Sequence, residues 1–147
     1  MTISHSFCNH YKRVIRYYGG LLSSFFMVST IQIGHRGEDI AVDYLRSEGY
    51  LIAARNWRSG RYEIDIVAER MGVTHLIEVK TRRAGSLQTP ESTMTQSKIS
   101  SLHRAAAAYM AQCRVMGEVE FDLLAIDMFA DGSYDVRFIR NVAEFNW

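Results

Sequence analysis

The run Tyr62-Glu63-Ile64-Asp65-Ile66-Val67-Ala68-Glu69-Arg70-Met71-Gly72-Val73-Thr74-His75-Leu76-Ile77-Glu78-Val79-Lys80 decides how this chain is read. Two stretches rich in Ile, Val and Leu flank Met71-Gly72, the pattern of two strands joined by a hairpin. Side chains alternate along a strand. Glu63, Asp65 and Val67 are therefore expected on one face and Ile64, Ile66 and Ala68 on the other. On the following strand, Leu76, Glu78 and Lys80 share a face opposite Ile77 and Val79. Folding the hairpin symmetrically about Met71-Gly72 sets Asp65 against Glu78 and Glu63 against Lys80, and two-residue and four-residue loops give the same register. Like charges directly opposed across a ladder destabilise it. A divalent cation between Asp65 and Glu78 would remove the conflict, and oxygen ligands suit Mg2+ or Mn2+. An ion held there can polarise a phosphate and acidify water, with Lys80 stabilising developing negative charge. Glu-x-Lys on a strand equally fits a solvated face, and Lys80 or a one-residue slip could relieve the pair without an ion.

Outward from the hairpin, an amphipathic helix is expected from about Gly34 to Glu48, stopped by Gly49. Ala41, Val42, Tyr44 and Leu45 form its apolar face. Glu38 falls within about 20° of Leu45 around that helix, where a carboxylate needs a partner. Tyr50–Trp57 reads as a strand before the Ser59-Gly60 turn. Thr93-Met94-Thr95-Gln96 fits a capping box. It opens a helix with Ile99, Leu102, Ala106, Tyr109 and Cys113 on one stripe, ending near Gly117. Val119–Met128 and Ser133–Ile139 are expected strands around an Asp131-Gly132 turn. The order αβββαββ implies an α/β domain over 34–147, a mixed sheet flanked by helices.

Hydrophobic content of 48% and charged content of 22% are those of a globular domain. Cys8 and Cys113 form no disulfide framework or zinc pattern, and a reducing cytoplasm fits this usage. Three of the 17 basic residues and none of the 16 acidic ones precede residue 35, so 35–147 carries a net of about −2. That argues against a nonspecific electrostatic DNA binder, which would normally be strongly basic. A nucleic-acid role must rest on a local site. Arg82 and Arg83 at a strand end and Lys98 in the first turn of the second helix are candidate phosphate contacts, although each also reads as a surface cation. Trp57 lies among Arg55, Arg58 and Arg61, a grouping that can clamp a strand, but a partly buried position at a sheet edge is the preferred reading. His75 and His103 show no metal spacing and read as ordinary strand and helix residues.

Arg36-Gly37-Glu38-Asp39-Ile40-Ala41, Tyr44-Leu45, Gly49-Tyr50, Arg55-Asn56-Trp57-Arg58, Glu63 to Ala68, Ile77 to Arg82, Pro90-Glu91, Lys98 and Phe121-Asp122 follow one another in an order that resembles the YraN family. These are small bacterial proteins of poorly defined function, grouped with restriction-endonuclease-like (PD-(D/E)XK) and Holliday-junction-resolvase-like folds. The resemblance spans roughly 34–129. It implies a nuclease motif of Asp65 and Glu78-x-Lys80, with Glu38 approaching the same site. One departure is visible: the family usually has Gly before Glu-Ile-Asp, and here Tyr62 stands.

The expectation is a magnesium-dependent endonuclease acting on DNA, with branched or otherwise structured DNA as the candidate substrate. Its site would be Glu38, Asp65, Glu78 and Lys80, with Asp65 and Glu78 as ligands and Glu63 ranked below them. A non-catalytic nucleic-acid-binding accessory protein in recombination, repair or DNA uptake is the alternative. An interaction domain with a surface charge network is the third reading. A homodimer could align two sites on a branched substrate.

Residues 1–33 read as an N-terminal extension. Tyr17 to Gly34 is an uncharged run of 18 residues, but Gly19, Gly20, Ser23, Ser24, Ser29, Thr30 and Gln32 make it too polar for a membrane span. No Ala-x-Ala-like cleavage site follows it. Translation is expected to start at Met27, an expectation that peptides from residues 1–26 in mass spectrometry of the native protein would reject.

Overall fold

The computed structural model describes residues 14–17, 30–87 and 89–142. The segments around Met27 and 1–13 lie outside the described residues. The elements are β1 (Val14–Tyr17), α1 (Thr30–Ser47), β2 (Leu51–Ser59), β3 (Tyr62–Arg70), β4 (Val73–Arg83), a 3-10 turn (Glu91–Thr93), α2 (Gln96–Cys113), β5 (Val119–Met128) and β6 (Tyr134–Ile139). From α1 onward the order is the expected αβββαββ, with most boundaries within two residues of expectation and β5 matching it at both ends. β1 adds an edge strand from within the 1–33 segment. One six-stranded mixed sheet results, in the order β1-β6-β5-β4-β3-β2. Neighbours are antiparallel except β4 and β5, which run parallel and are joined through α2. A parallel pair needs such a crossover connection.

The two helices cover opposite faces. α1 buries Ile40, Ala41, Val42, Tyr44 and Leu45 against Ile66, Ala68, Ile77, Leu124 and Ile126. α2 buries Ala105, Ala106 and Tyr109 against Ile64, Val67 and Leu76, while its Ile99 and Leu102 meet Leu123 and Ile139. Central strands clothed on both faces are buried on consecutive residues, as β4 is from Thr74 to Glu78 and β5 from Asp122 to Ile126.

The β3–β4 turn has Met71 at φ 50 and Gly72 at φ 80. Positive φ at both central residues is the two-residue hairpin turn whose twist matches the strands. The ladder runs from Arg70↔Val73 to Ile66↔Ile77 in the expected register. It ends there, so Asp65 and Glu78 follow the last pair and the strands part beyond it. Strict alternation fails at the same place. Ile64 is buried with Val67 and Leu76 rather than with Ile66 and Ala68. Asn56, between the β2 residues paired with Ile66 and Ile64, is left-handed at φ 48, and a further register shift lies between Ile52 and Ala54. These irregularities break the period of two that the expectation assumed.

Three details of the helices differ from expectation. α1 begins at Thr30, four residues before Gly34, though Gly49 does turn left-handed at φ 84 after it. α2 is capped by Thr95, whose hydroxyl accepts from Lys98 N, because Thr93 is taken by the 3-10 turn. α2 ends at Cys113 with Arg114 as left-handed cap at φ 54, and Cys113 is exposed rather than on the buried stripe. Trp57 is half-buried on edge strand β2 and packs edge-on against Tyr109 at 5.4 Å, as preferred from the sequence.

Gly37 sets how closely α1 approaches the sheet. A Cβ there would lie 1.7 Å from Thr81 Oγ1 and 2.8 Å from Thr81 Cβ. The next residue is Glu38, so this approach also sets Glu38's depth. Gly37→Ala is expected to cost roughly 1–3 kcal/mol in urea denaturation, by overpacking. Adding Thr81→Ala should recover part of the loss, since it removes the nearest atom and leaves the next. A Gly37→Ala protein as stable as the parent would contradict the close contact.

Candidate metal centre

The parting of β3 from β4 creates the site. Beyond Ile77 the backbone of β4 loses its ladder partner on the β3 side. A buried N–H without a partner is costly. Asp65 supplies one: its Oδ2 accepts from Val79 N at 2.8 Å. The carboxylate is thus drawn into the fork beside Glu78, which is buried, with 3% of its surface exposed. Glu38, Glu63, Asp65, Glu78, Lys80 and Lys98 line one cleft of about 470 Å³ there. Glu38 enters from α1 and is held by Asn56 Nδ2 at 3.0 Å, the partner that a carboxylate beside an apolar stripe requires. Lys98 enters from α2 on the other face. The fork lets both faces reach one cleft.

The charges are not arranged as the hairpin register alone implied. Both Glu78 oxygens are engaged, Oε1 by Lys80 Nζ at 2.5 Å and Oε2 by Lys98 Nζ at 2.8 Å. Glu63 does not pair with Lys80, because the ladder does not extend that far. It accepts from Arg58 at 2.8 Å across β2, to which β3 remains paired. Lys98, expected as a phosphate contact, reaches back to Glu78. Arg82 Nε donates to Asp127 Oδ1 at 2.5 Å on the neighbouring β5, and its Nη1 is buried with no partner among the described residues. Arg83 is exposed at the end of β4.

Burial, then the nearby Glu78 carboxylate, push the Asp65 carboxyl up to about 6, against the lowering effect of the Val79 N–H, Lys80 and Lys98. Two processes can relieve a carboxylate in this position: taking up a proton, or meeting a cation. All the carboxylates in the cleft are hard oxygen donors, and among the described residues no sulfur or imidazole lines it. That set fits Mg2+ or Mn2+.

A second cluster escaped the sequence reading. His75, Glu120 and Asp122 bring ligand atoms within 4.8 Å of one another. His75 Nδ1 lies 2.7 Å from Asp122 Oδ2, Asp122 Oδ1 accepts from Asn141 N at 2.8 Å, and Arg140 clasps both oxygens of Glu120. Its acids are already balanced by partners on β4 and just after β6, so it joins strands rather than offering open ligands. The signal lay in Glu120 and Asp122 alternating along an apolar strand. Finding it required the parallel β4–β5 register, which places His75 beside Glu120. His103 is an exposed helix residue tilted against Phe121.

The proton on Asp65 has a consequence for stability. The fold raises this group from 3.8 to about 6, so it binds the proton more tightly than the unfolded chain does. The contribution of Asp65 to the stability of ion-free protein therefore falls as pH rises from about 4 to about 6 and stays at the lower level above. Asp65→Asn keeps the acceptor for Val79 N. It is expected to gain on the order of 1–3 kcal/mol in ion-free urea denaturation near neutral pH, with the gain vanishing near pH 4. A parent and variant of equal stability near neutral pH would contradict the desolvated carboxylate.

A family described as "Uncharacterised protein family UPF0102" matches residues 37–126, which include Glu38, Asp65, Glu78, Lys80 and Lys98. The chain is similar to a UPF0102 protein of Bacteroides thetaiotaomicron, 41% identical over 109 residues, covering 74% of this chain and 89% of that one. It is 40% identical over 100 residues to a UPF0102 protein of Porphyromonas gingivalis, covering 68% and 74% of the two chains. A UPF0102 protein of Syntrophomonas wolfei is 36% identical over 111 residues, covering 75% and 96%. As the motifs around Glu38, Asp65 and Glu78 implied, the chain belongs to the UPF0102 (YraN) family.

Proposed function

We propose that this protein is a metal-dependent nuclease of restriction-endonuclease-like type, cleaving phosphodiester bonds of DNA in the cleft at the β3–β4 fork. One observation carries the reading. Two strands part so that Asp65 and Glu78 line one cleft with Lys80, and Asp65 is held there at a cost that a proton or a cation relieves. Asp65 and Glu78 would hold Mg2+ or Mn2+, with Glu38 at the rim. When bound, the ion would polarise a phosphoryl oxygen and lower the pKa of water.

The chain's own residues do the rest. Asn56 fixes Glu38 toward the cleft. Val79 N fixes one Asp65 oxygen. Lys80 and Lys98 neutralise Glu78 in the ion-free protein, so the buried acid is never unpaired. A phosphate in the cleft would meet the same two ammonium groups, which can stabilise negative charge developing on it. Arg82, bound to Asp127 outside the cleft lining, has no part in this reading.

The two lysines on Glu78 also favour a second reading, an accessory protein that binds nucleic acid without turnover. Two cations already balance the acid that would otherwise demand an ion. Among the described residues no helix is long and apolar enough to cross a membrane.

A cleavage assay on branched, duplex and single-stranded DNA with Mg2+ or Mn2+ separates the readings. Chelator should abolish cleavage. Asp65→Ala and Glu78→Ala should each lower it by roughly 100-fold or more, on the scale of losing one electrostatic stabiliser. Lys80→Ala should lower it similarly with metal binding retained. Binding without cleavage on every substrate would replace the nuclease by the accessory protein, and cleavage that persists in both acid variants would mark a contaminant.

A further inference from the structure

Beside the candidate metal cleft, and sharing Glu63 and Lys98 with it, lies a second groove of about 430 Å³ formed between the start of β3 and α2. Its remaining lining includes Arg61, Tyr62, Ser101 and Arg104. Arg61 and Arg104 pair with no carboxylate among the described residues, while the groove's one acid, Glu63, is occupied by Arg58. An uncompensated pair of guanidinium groups stands out in a domain whose net charge is slightly negative. The Arg61 guanidinium lies over the Tyr62 ring, 5.4 Å from its centroid, and donates to the Tyr62 hydroxyl at 3.5 Å. The Tyr62 ring is half-buried, packed against the cluster of Ile64, Ala105 and Tyr109 with Arg61 over it, and guanidinium planes as well as rings stack on unpaired bases: the guanidinium groups hold a phosphate, and the Tyr62–Arg61 stack offers a surface for a base.

We propose that this groove, built on Arg61, Tyr62, Ser101 and Arg104, is a subsite for a single-stranded DNA segment that runs on into the cleft of Asp65 and Glu78. The subsite rests on the nuclease reading for its direction but not for its chemistry. Tyr62 is central, because a ring can stack only on a base whose face is free, which unpaired strands offer and duplexes do not. The substrate class that follows is DNA with a single-stranded flank, such as an overhang, gap or flap.

Fluorescence polarisation with a labelled oligothymidylate of about 12 nucleotides, in chelator to prevent turnover, tests this against a duplex of equal length. The single strand should bind at least about tenfold more tightly than the duplex. Tyr62→Ala should weaken single-strand binding roughly 5- to 100-fold, whereas Tyr62→Phe should retain it. Arg104→Gln should weaken binding and lower the salt dependence by about one phosphate contact. Far-UV circular dichroism and Mn2+ calorimetry on each variant separate this proposal from the metal centre. Intact folding and Mn2+ uptake with parent-like strand binding by Tyr62→Ala, or equal affinity for duplex and single strand, would overturn the groove alone. Loss of strand binding in Tyr62→Ala, with no Mn2+ uptake even by the parent, would uphold the groove and remove the metal centre.

Discussion

The hydrogen bond from Val79 N to Asp65 Oδ2 is the contact on which the rest of the site depends. A strand whose neighbour diverges must find other partners for its backbone groups, and here a side chain takes over where the ladder stops. The same contact that satisfies β4 carries a carboxylate into the fork and lets α1 and α2 address one cleft from opposite faces. Gly37 completes the arrangement by letting the helix bearing Glu38 come against Thr81. Fold and site are therefore one construction: a sheet held together over most of its length and opened at one end.

Local balance, not overall charge, governs the chemistry available there. A chain of formal net charge +1 has little long-range pull on DNA. What it has is a cleft where Glu78 sits between two lysines and Asp65 is poorly solvated. In the proposed reading, lysine, proton, divalent ion and phosphate compete there for the same few oxygens and ammonium groups. In the neighbouring groove, Arg61 and Arg104 meet Tyr62 but no carboxylate among the described residues, so that self-neutralisation is lacking.

Much of this was legible in the sequence where spacing carries physical meaning. The hairpin register followed from Met71-Gly72 because a two-residue turn permits only one pairing. The placement of Glu38 near Asp65 followed from the family motif, and an acid beside a helix's apolar stripe signalled that it had a partner. Legibility failed where geometry departs from ideal period. Nothing in Glu-Ile-Asp-Ile announces that the ladder ends at Ile66, so the pairing of Glu63 with Lys80 was expected and Arg58 was found instead. Lys98 and Glu78 lie on elements far apart in sequence, and only the α2 crossover brings them together. The His75–Asp122 contact likewise needed the parallel β4–β5 register. Cys113 fell on the apolar stripe by spacing alone, yet it is the last residue of α2 and is exposed.

The central claim, that Asp65 and Glu78 together hold a divalent ion, is tested most directly by diffraction from crystals soaked in manganese. An anomalous peak at coordination distance from oxygens of both residues, with at least one lysine released from Glu78, is the predicted result. A fork without such a peak, in which Lys80 and Lys98 still grip Glu78 at saturating manganese, would contradict it.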